Sequence, residues 1–240
     1  MPNINFAPEM TALALAQGAR ELATTGRARL EPVLPASAAR DLARSLDDAA
    51  PWKRILNQGD KVWDLDRAAL ADLGPDRHAA LVEAVHAQAR HGFQYLYDSL
   101  RVSEDAAERK ARGLPVDALL DALNSEPWLR VFRTLTGVDA IRMVDGQATR
   151  YLPGHFLTAH DDNVAGKNRV AAYILSLTPD WRTEWGGLLQ FHEANGDVGH
   201  ALRPRFNALH LLRVPQMHSV SYVAPFAGTP RLSITGWLRT

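Results

Sequence analysis

The sequence predicts an α+β chain with a mainly β core: helices in the first half, then a closed or double-sheet β architecture. Two observations carry this. Residues 9–130 are rich in Ala, Leu and Arg at helical spacing. From about residue 138 the chain breaks into eight short apolar or alternating runs separated by turn residues. The parts are a helical region, 1–137, and a β core, 138–240, expected to form one integrated domain.

Taken in order, apolar periodicity predicts helices over 9–24, 36–49, 66–72, 76–99 and 116–136, the last broken near Pro127, with a short strand over 27–33. The stretch "NQGDKVWDLD", 57–66, reads as a loop between helices, either a cover over a substrate or ordinary surface. "RVSEDAAERKARG", 101–113, reads as a solvated helix end or loop. The β half runs "AIRMVD", "QATRYLP", "NRVAAYILSL", "GGLLQFHE", "GHALRP", "FNALHLLRV", "MHSVSYV" and "RLSITGWLR". The turn chemistry between them is DG, PG, AGKN, PDWRTEWGG, NGD and PFAGTP.

Composition excludes several classes. Lys+Arg and Asp+Glu both number 27, so the formal net charge is zero, and neither nucleic acid nor a membrane is an expected partner. The absence of cysteine excludes disulfides, zinc–thiolate sites and cysteine nucleophiles, and fits a cytoplasmic protein. No run reaches the length of a membrane span, and the N-terminus reads as an amphipathic helix and not as a signal peptide.

Chemistry concentrates in "YLPGHFLTAHDDN", 151–163. His160 and Asp162 are two apart, so in an extended segment they share a face and can address one ion. His-x-Asp alone is common by chance, and a surface turn competes with it. His218, opening "MHSVSYV", adds a second imidazole. Two imidazoles and one carboxylate form the facial set of non-haem Fe(II) oxygenases, which leaves positions open for a chelating cosubstrate and dioxygen. His155, His192, His200 and His210 compete for the role; His210, inside "NALHLLRV", suits a core or sheet face, and His155 and His192 suit supporting or exposed positions. Arg231 begins the last strand, and no carboxylate lies between residues 198 and 240. A buried arginine there needs an anion, which a bound dicarboxylate would supply. Ser233 shares its face and could add a hydroxyl. An exposed edge arginine is the competing reading.

With these elements in this order, the chain over roughly 139–240 resembles the 2-oxoglutarate- and Fe(II)-dependent oxygenases, and within them the prolyl hydroxylases. It is most similar to the catalytic domain of those that hydroxylate a proline in a small-subunit ribosomal protein. The matching pieces are "RYLPGHFLTAHDDN", "NRVAAYILSLTPDW", "EWGGLLQFH" and "RLSITGWL". The resemblance implies a double-stranded β-helix, or jelly roll, with the N-terminal helices packed against it. It implies His160, Asp162 and His218 as iron ligands, Arg231 on the distal carboxylate of 2-oxoglutarate, and Tyr151 hydrogen-bonding the same cosubstrate. Fe(II), 2-oxoglutarate and ascorbate as reductant follow as expected cofactors.

Two departures stand out. Ser176-Leu177 occupies a position where relatives often carry Tyr-Leu, and the chain stops at Thr240, where the ribosomal-protein hydroxylases usually continue into a second β domain. The expected activity is hydroxylation of an unactivated C–H bond, in a prolyl residue of a protein or peptide. Alternatives are a hydroxylase of a free amino acid or other small molecule, and a non-catalytic metal-binding jelly roll, which would have no use for Arg231. Ala172, Ile174 and Leu189 are expected to wall the pocket, and Trp237 to plug the core.

Overall fold

The structure, a computed structural model, describes residues 5–46 and 50–240. Helix α1 (Ala12–Thr25) starts where the Thr11 hydroxyl accepts from the Ala14 N–H, and ends at Gly26 in the left-handed conformation. Strand β1 (Arg27–Leu30) and helix α2 (Ala36–Ser45) follow. The predicted helix 36–49 therefore ends at Ser45, and residues 47–49 lie outside the described residues.

The next stretch departs from expectation. Residues 57–66 are not a loop: β2 (Lys53–Gln58) and β3 (Lys61–Leu65) form a hairpin around Gly59, and Asp66 caps the following helix. Helix α3 (Arg67–Ala89) joins two predicted helices across a kink at Gly74, where Pro75 begins the second half. The predicted helix 76–99 stops ten residues early, because Tyr95–Arg101 is strand β4. Gly92 ends the alanine-rich run, and Phe93, Tyr95 and Tyr97 then alternate with period two, so the aromatic β preference wins. The charged stretch at 101–113 holds a short helix, α4 (Ala106–Arg112), capped by Asp105. The predicted helix 116–136 is α5 (Pro115–Leu123) and α6 (Glu126–Thr136), parted just before Pro127.

The β half contains β5 (Met143–Val144), β6 (Gln147–Tyr151), β7 (Phe156–His160), β8 (Arg169–Ser176), β9 (Leu189–His192), β10 (Val198–Leu202), β11 (Ala208–Arg213), β12 (His218–Val220) and β13 (Arg231–Arg239). Strand β7 is additional to the eight predicted runs. The strands make one curled antiparallel sheet in the order β1-β11-β8-β13-β6-β4-β7-β12-β9-β10, with β2 and β3 extending from β4 and β5 beside β13. Strand β4 pairs with both β6 and β7 and so joins the larger layer to the smaller. This is the expected double-stranded β-helix.

Helices α1, α2, α5 and α6 cover the outer face of the larger layer, while α3 packs Val85 against Leu56, Leu96 and Phe156. On that outer face Leu22, Leu119, Leu120, Phe132 and Leu135 pack against Ala171, Tyr173, Leu175, Leu209, Leu211 and Ile234. The inner face carries Ala172, Ile174 and Leu212 toward Leu189 and Phe191 of the smaller layer. Strand β8 is thus covered on both sides, which explains why "VAAYIL" is continuously apolar and not alternating. Among the described residues no helix is long and apolar enough to cross a membrane.

Candidate metal centre

Pairing register builds the centre. His160 ends β7, His218 opens β12, and the two are direct cross-strand partners with ring centroids 4.2 Å apart. Asp162 joins them differently from the extended spacing predicted. Its φ is 63°, a left-handed turn just past the strand end, and this folds its carboxylate back between the rings. Its oxygens lie 3.5 Å from His160 Nε2 and 3.6 Å from His218 Nε2. One donor atom from each residue falls within 4.8 Å of the others, so the three could hold a metal ion.

Backbone carbonyls orient both imidazoles. His160 Nδ1 lies 3.0 Å from the Thr158 carbonyl, and His218 Nδ1 lies 2.7 Å from that of Gln216. With each Nδ1–H donating outward, each Nε2 lone pair faces the centre. Burial, reinforced by the neighbouring His218, lowers the pKa of His160 and favours the neutral imidazole that a metal requires.

A second cross-strand pair lies in the same cavity. Arg231 of β13 sits opposite Tyr151 of β6, with its guanidinium 5.0 Å from the phenol ring centroid. Arg231 is buried, and its Nε has no hydrogen-bond partner. No carboxylate pairs with it among the described residues, and burial lowers its pKa. Gly187 backs it with φ +60°; a Cβ there would stand 3.1 Å from Arg231 Cδ and 3.2 Å from Trp181 and Val223. The neighbouring Gly186 also has positive φ, and a Cβ there would meet the Tyr222 carbonyl at 2.0 Å. The glycines of "EWGGLLQFH" are therefore where the chain passes close behind the arginine.

The cavity, about 440 Å³, contains His160, Asp162, His218, Tyr151 and Arg231, with the expected walls Ala172, Ile174 and Leu189. Ser233 is buried beside it, its hydroxyl 2.8 Å from that of Thr149, which does line the cavity. Trp237 packs against the inner apolar cluster as expected, and it is part of the cavity wall as well. Its side chain lines the cavity beneath the Arg169 guanidinium, 3.5 Å away, and its Nε1 is buried without a partner. Arg169 also lines the cavity, and its Nη1 donates to the Asp162 carbonyl at 3.0 Å. The remaining histidines stand apart: His155 is buried and accepts from the Leu152 N–H, and His192 pairs with the Ser219 hydroxyl. His200 and His210 border a different cavity, and His210 is a buried sheet-face residue as expected.

A family model described as "2OG-Fe(II) oxygenase superfamily" matches residues 146–239, which hold all these pieces. Over residues 146–239 the chain is similar to the 2-oxoglutarate–Fe(II) oxygenases. Prolyl 3-hydroxylase OGFOD1 of Mus musculus is 28% identical over 152 residues, 60% of this chain. The Xenopus laevis protein of the same name is 33% identical over 142 residues, 56% of this chain. Each match spans 27% of the relative's length. A prolyl-4-hydroxylase from Pseudomonas putida shares the fold, with TM-score 0.60 and 22% identity over 94% of this chain and 98% of that one. The oxygenase family implies Fe(II) and 2-oxoglutarate, and the donor set fits both. Two imidazoles and a carboxylate suit the ion, and a buried guanidinium with no carboxylate partner among the described residues suits the far carboxylate of the cosubstrate.

Proposed function

We propose that the chain is an Fe(II)- and 2-oxoglutarate-dependent dioxygenase that hydroxylates a prolyl residue within a protein or peptide. The observation that carries the chemistry is a buried arginine, without an anionic partner among the described residues, in the same cavity as a His-His-Asp cluster. The prolyl substrate is supported by the relatives, which are named as prolyl hydroxylases.

In this reading His160, Asp162 and His218 hold Fe(II) through Nε2, a carboxylate oxygen and Nε2. Arg231 pairs with the far carboxylate of 2-oxoglutarate, and Tyr151, already stacked beside it, donates its phenol hydrogen to the same group. Burial raises the Tyr151 pKa, so its hydroxyl keeps the proton it donates. Ser233 acts through Thr149, holding that hydroxyl at the cavity wall. The bound metal and cosubstrate supply the oxidising power of dioxygen for C–H hydroxylation, with 2-oxoglutarate leaving as succinate and carbon dioxide. Ala172, Ile174 and Leu189 keep the wall dry. Ascorbate serves as reductant, and a cytoplasmic location is in keeping with a chain that has no cysteine.

The test is a competition between free L-proline and a library of proline-containing peptides, with Fe(II), 2-oxoglutarate and ascorbate, read by hydroxyproline mass. Hydroxylation of peptides is the expected result. Turnover of free proline with none of any peptide would refute the peptidyl substrate.

A further inference from the structure

Phe93, just before β4, and the inner face of that strand carry an aromatic ladder that the iron and cosubstrate sites leave unused. Alternate residues Phe93, Tyr95 and Tyr97 have ring centroids 5.5 Å apart at each step, and Tyr151 continues the row at 5.3 Å. The row runs from the sealed end of the cavity to its mouth. Tyr151 is 3% exposed, and Phe93 is 50% exposed. Tyr97 is half-buried between its neighbours, and burial raises its pKa. Burial pushes the Tyr95 phenol up to about 12, so the ladder is uncharged at neutral pH.

The positions of the ends assign the middle. Arg231 stands over Tyr151 at the deep end, where the cosubstrate carboxylate belongs. At the other end Phe93 lies 5.6 Å from the His160 ring, so its face borders the metal centre on the open side. Val164, 47% exposed, belongs to the same lining on the segment beyond Asp162. A half-exposed phenylalanine contributes little to the core, and here it leaves an apolar shelf beside the centre. Of the two arginines in the lining, Arg231 is taken by the cosubstrate, and Arg169 is held by the Asp162 carbonyl and the Trp237 ring. The shelf therefore suits an uncharged aliphatic ring in mid-chain, seated by face contact, better than a zwitterion needing two charged anchors.

We propose that Phe93 and Tyr95 are substrate-selecting residues, forming the shelf on which the pyrrolidine ring of a peptidyl proline sits beside the metal centre. This rests on the prolyl hydroxylase reading above. The test uses the full chain with Fe(II), 2-oxoglutarate and a pool of proline-containing peptides, comparing wild type with Phe93→Ala, Tyr95→Ala and Tyr95→Phe. The expected result is that each alanine variant raises the peptide KM about tenfold more than the 2-oxoglutarate KM. Tyr95→Phe keeps the ring and restores the peptide KM to near the wild-type value. A general loosening of β4 would move both constants together and would not be rescued selectively, so equal shifts overturn the shelf, as does no shift in either. If wild type itself yields succinate but no hydroxyproline from any peptide, the prolyl reading has failed and the shelf falls with it. Hydroxyproline formed equally by wild type and both alanine variants overturns the shelf alone.

Discussion

Replacing Arg231 by methionine separates a binding role from a structural one, because the two roles predict opposite effects on stability. The side chain is 5% exposed, its Nε lacks a partner, and among the described residues no carboxylate pairs with it. In the ligand-free protein it is a buried, uncompensated cation, and methionine fills a similar volume without the charge. The ligand-free variant should therefore melt at or above the wild-type temperature. Ligand binding should show the reverse. Losing a charge-assisted contact costs about 1.5–3 kcal/mol, so the apparent 2-oxoglutarate KM should rise roughly 10- to 150-fold. At 100 times its Kd, 2-oxoglutarate should stabilise the wild type by about 2.7 kcal/mol. For a chain of this length that is roughly 5–11 °C in Tm, and most of the shift should vanish in Arg231→Met. The assay is thermal melting with redox-inert Mn(II) in the metal site, with and without 2-oxoglutarate. A variant that melts well below wild type, yet is stabilised equally by 2-oxoglutarate, would refute the reasoning.

Two further outcomes follow from neighbouring residues. Gly187→Ala places a Cβ against Arg231 Cδ at a left-handed φ, so both Tm and 2-oxoglutarate affinity should fall, a loss of about 1–2 kcal/mol in stability; thermal melts and KM measurement check it, and an unchanged KM would show that the arginine tolerates displacement. Burial pushes both His155 and His210 down to about pKa 3. The unfolded chain takes up their protons near pH 6.5 and the folded chain does not. The stability conferred by keeping them neutral is thus full above pH 6.5 and declines toward pH 3, by about 1.4 kcal/mol per pH unit for each histidine. Urea unfolding at pH 7 and pH 5.5 measures this, and His210→Met should remove one proton from the slope.

The centre was legible in the sequence because its residues sit at strand ends with distinctive spacing, and cross-strand register then pairs His160 with His218 and Tyr151 with Arg231. Asp162 was found for an incomplete reason, since it reaches the centre through a left-handed turn and not along an extended face. Strand β4 was hidden because the alanine-rich periodicity of α3 runs directly into it. The usable signal was Gly92 followed by aromatic alternation at Phe93, Tyr95 and Tyr97. The hairpin at 53–65 was missed for a different reason: all of β3 except Leu65 is exposed, so burial leaves no apolar pattern to read. Trp237 was read as core from its apolar strand; it does pack on the inner cluster, and alternation along β13 also puts it on the cavity face with Arg231.

The central claim is that one cavity holds Fe(II) on His160, Asp162 and His218 and 2-oxoglutarate on that ion and Arg231. Anaerobic calorimetric titration tests it most directly, first with Fe(II) and then with 2-oxoglutarate, on wild type, His160→Ala and His218→Ala. The account predicts one ion per wild-type chain, tight 2-oxoglutarate binding only once the ion is present, and loss of both in either variant. Equal Fe(II) binding by wild type and both variants, or 2-oxoglutarate binding indifferent to the ion, would contradict it.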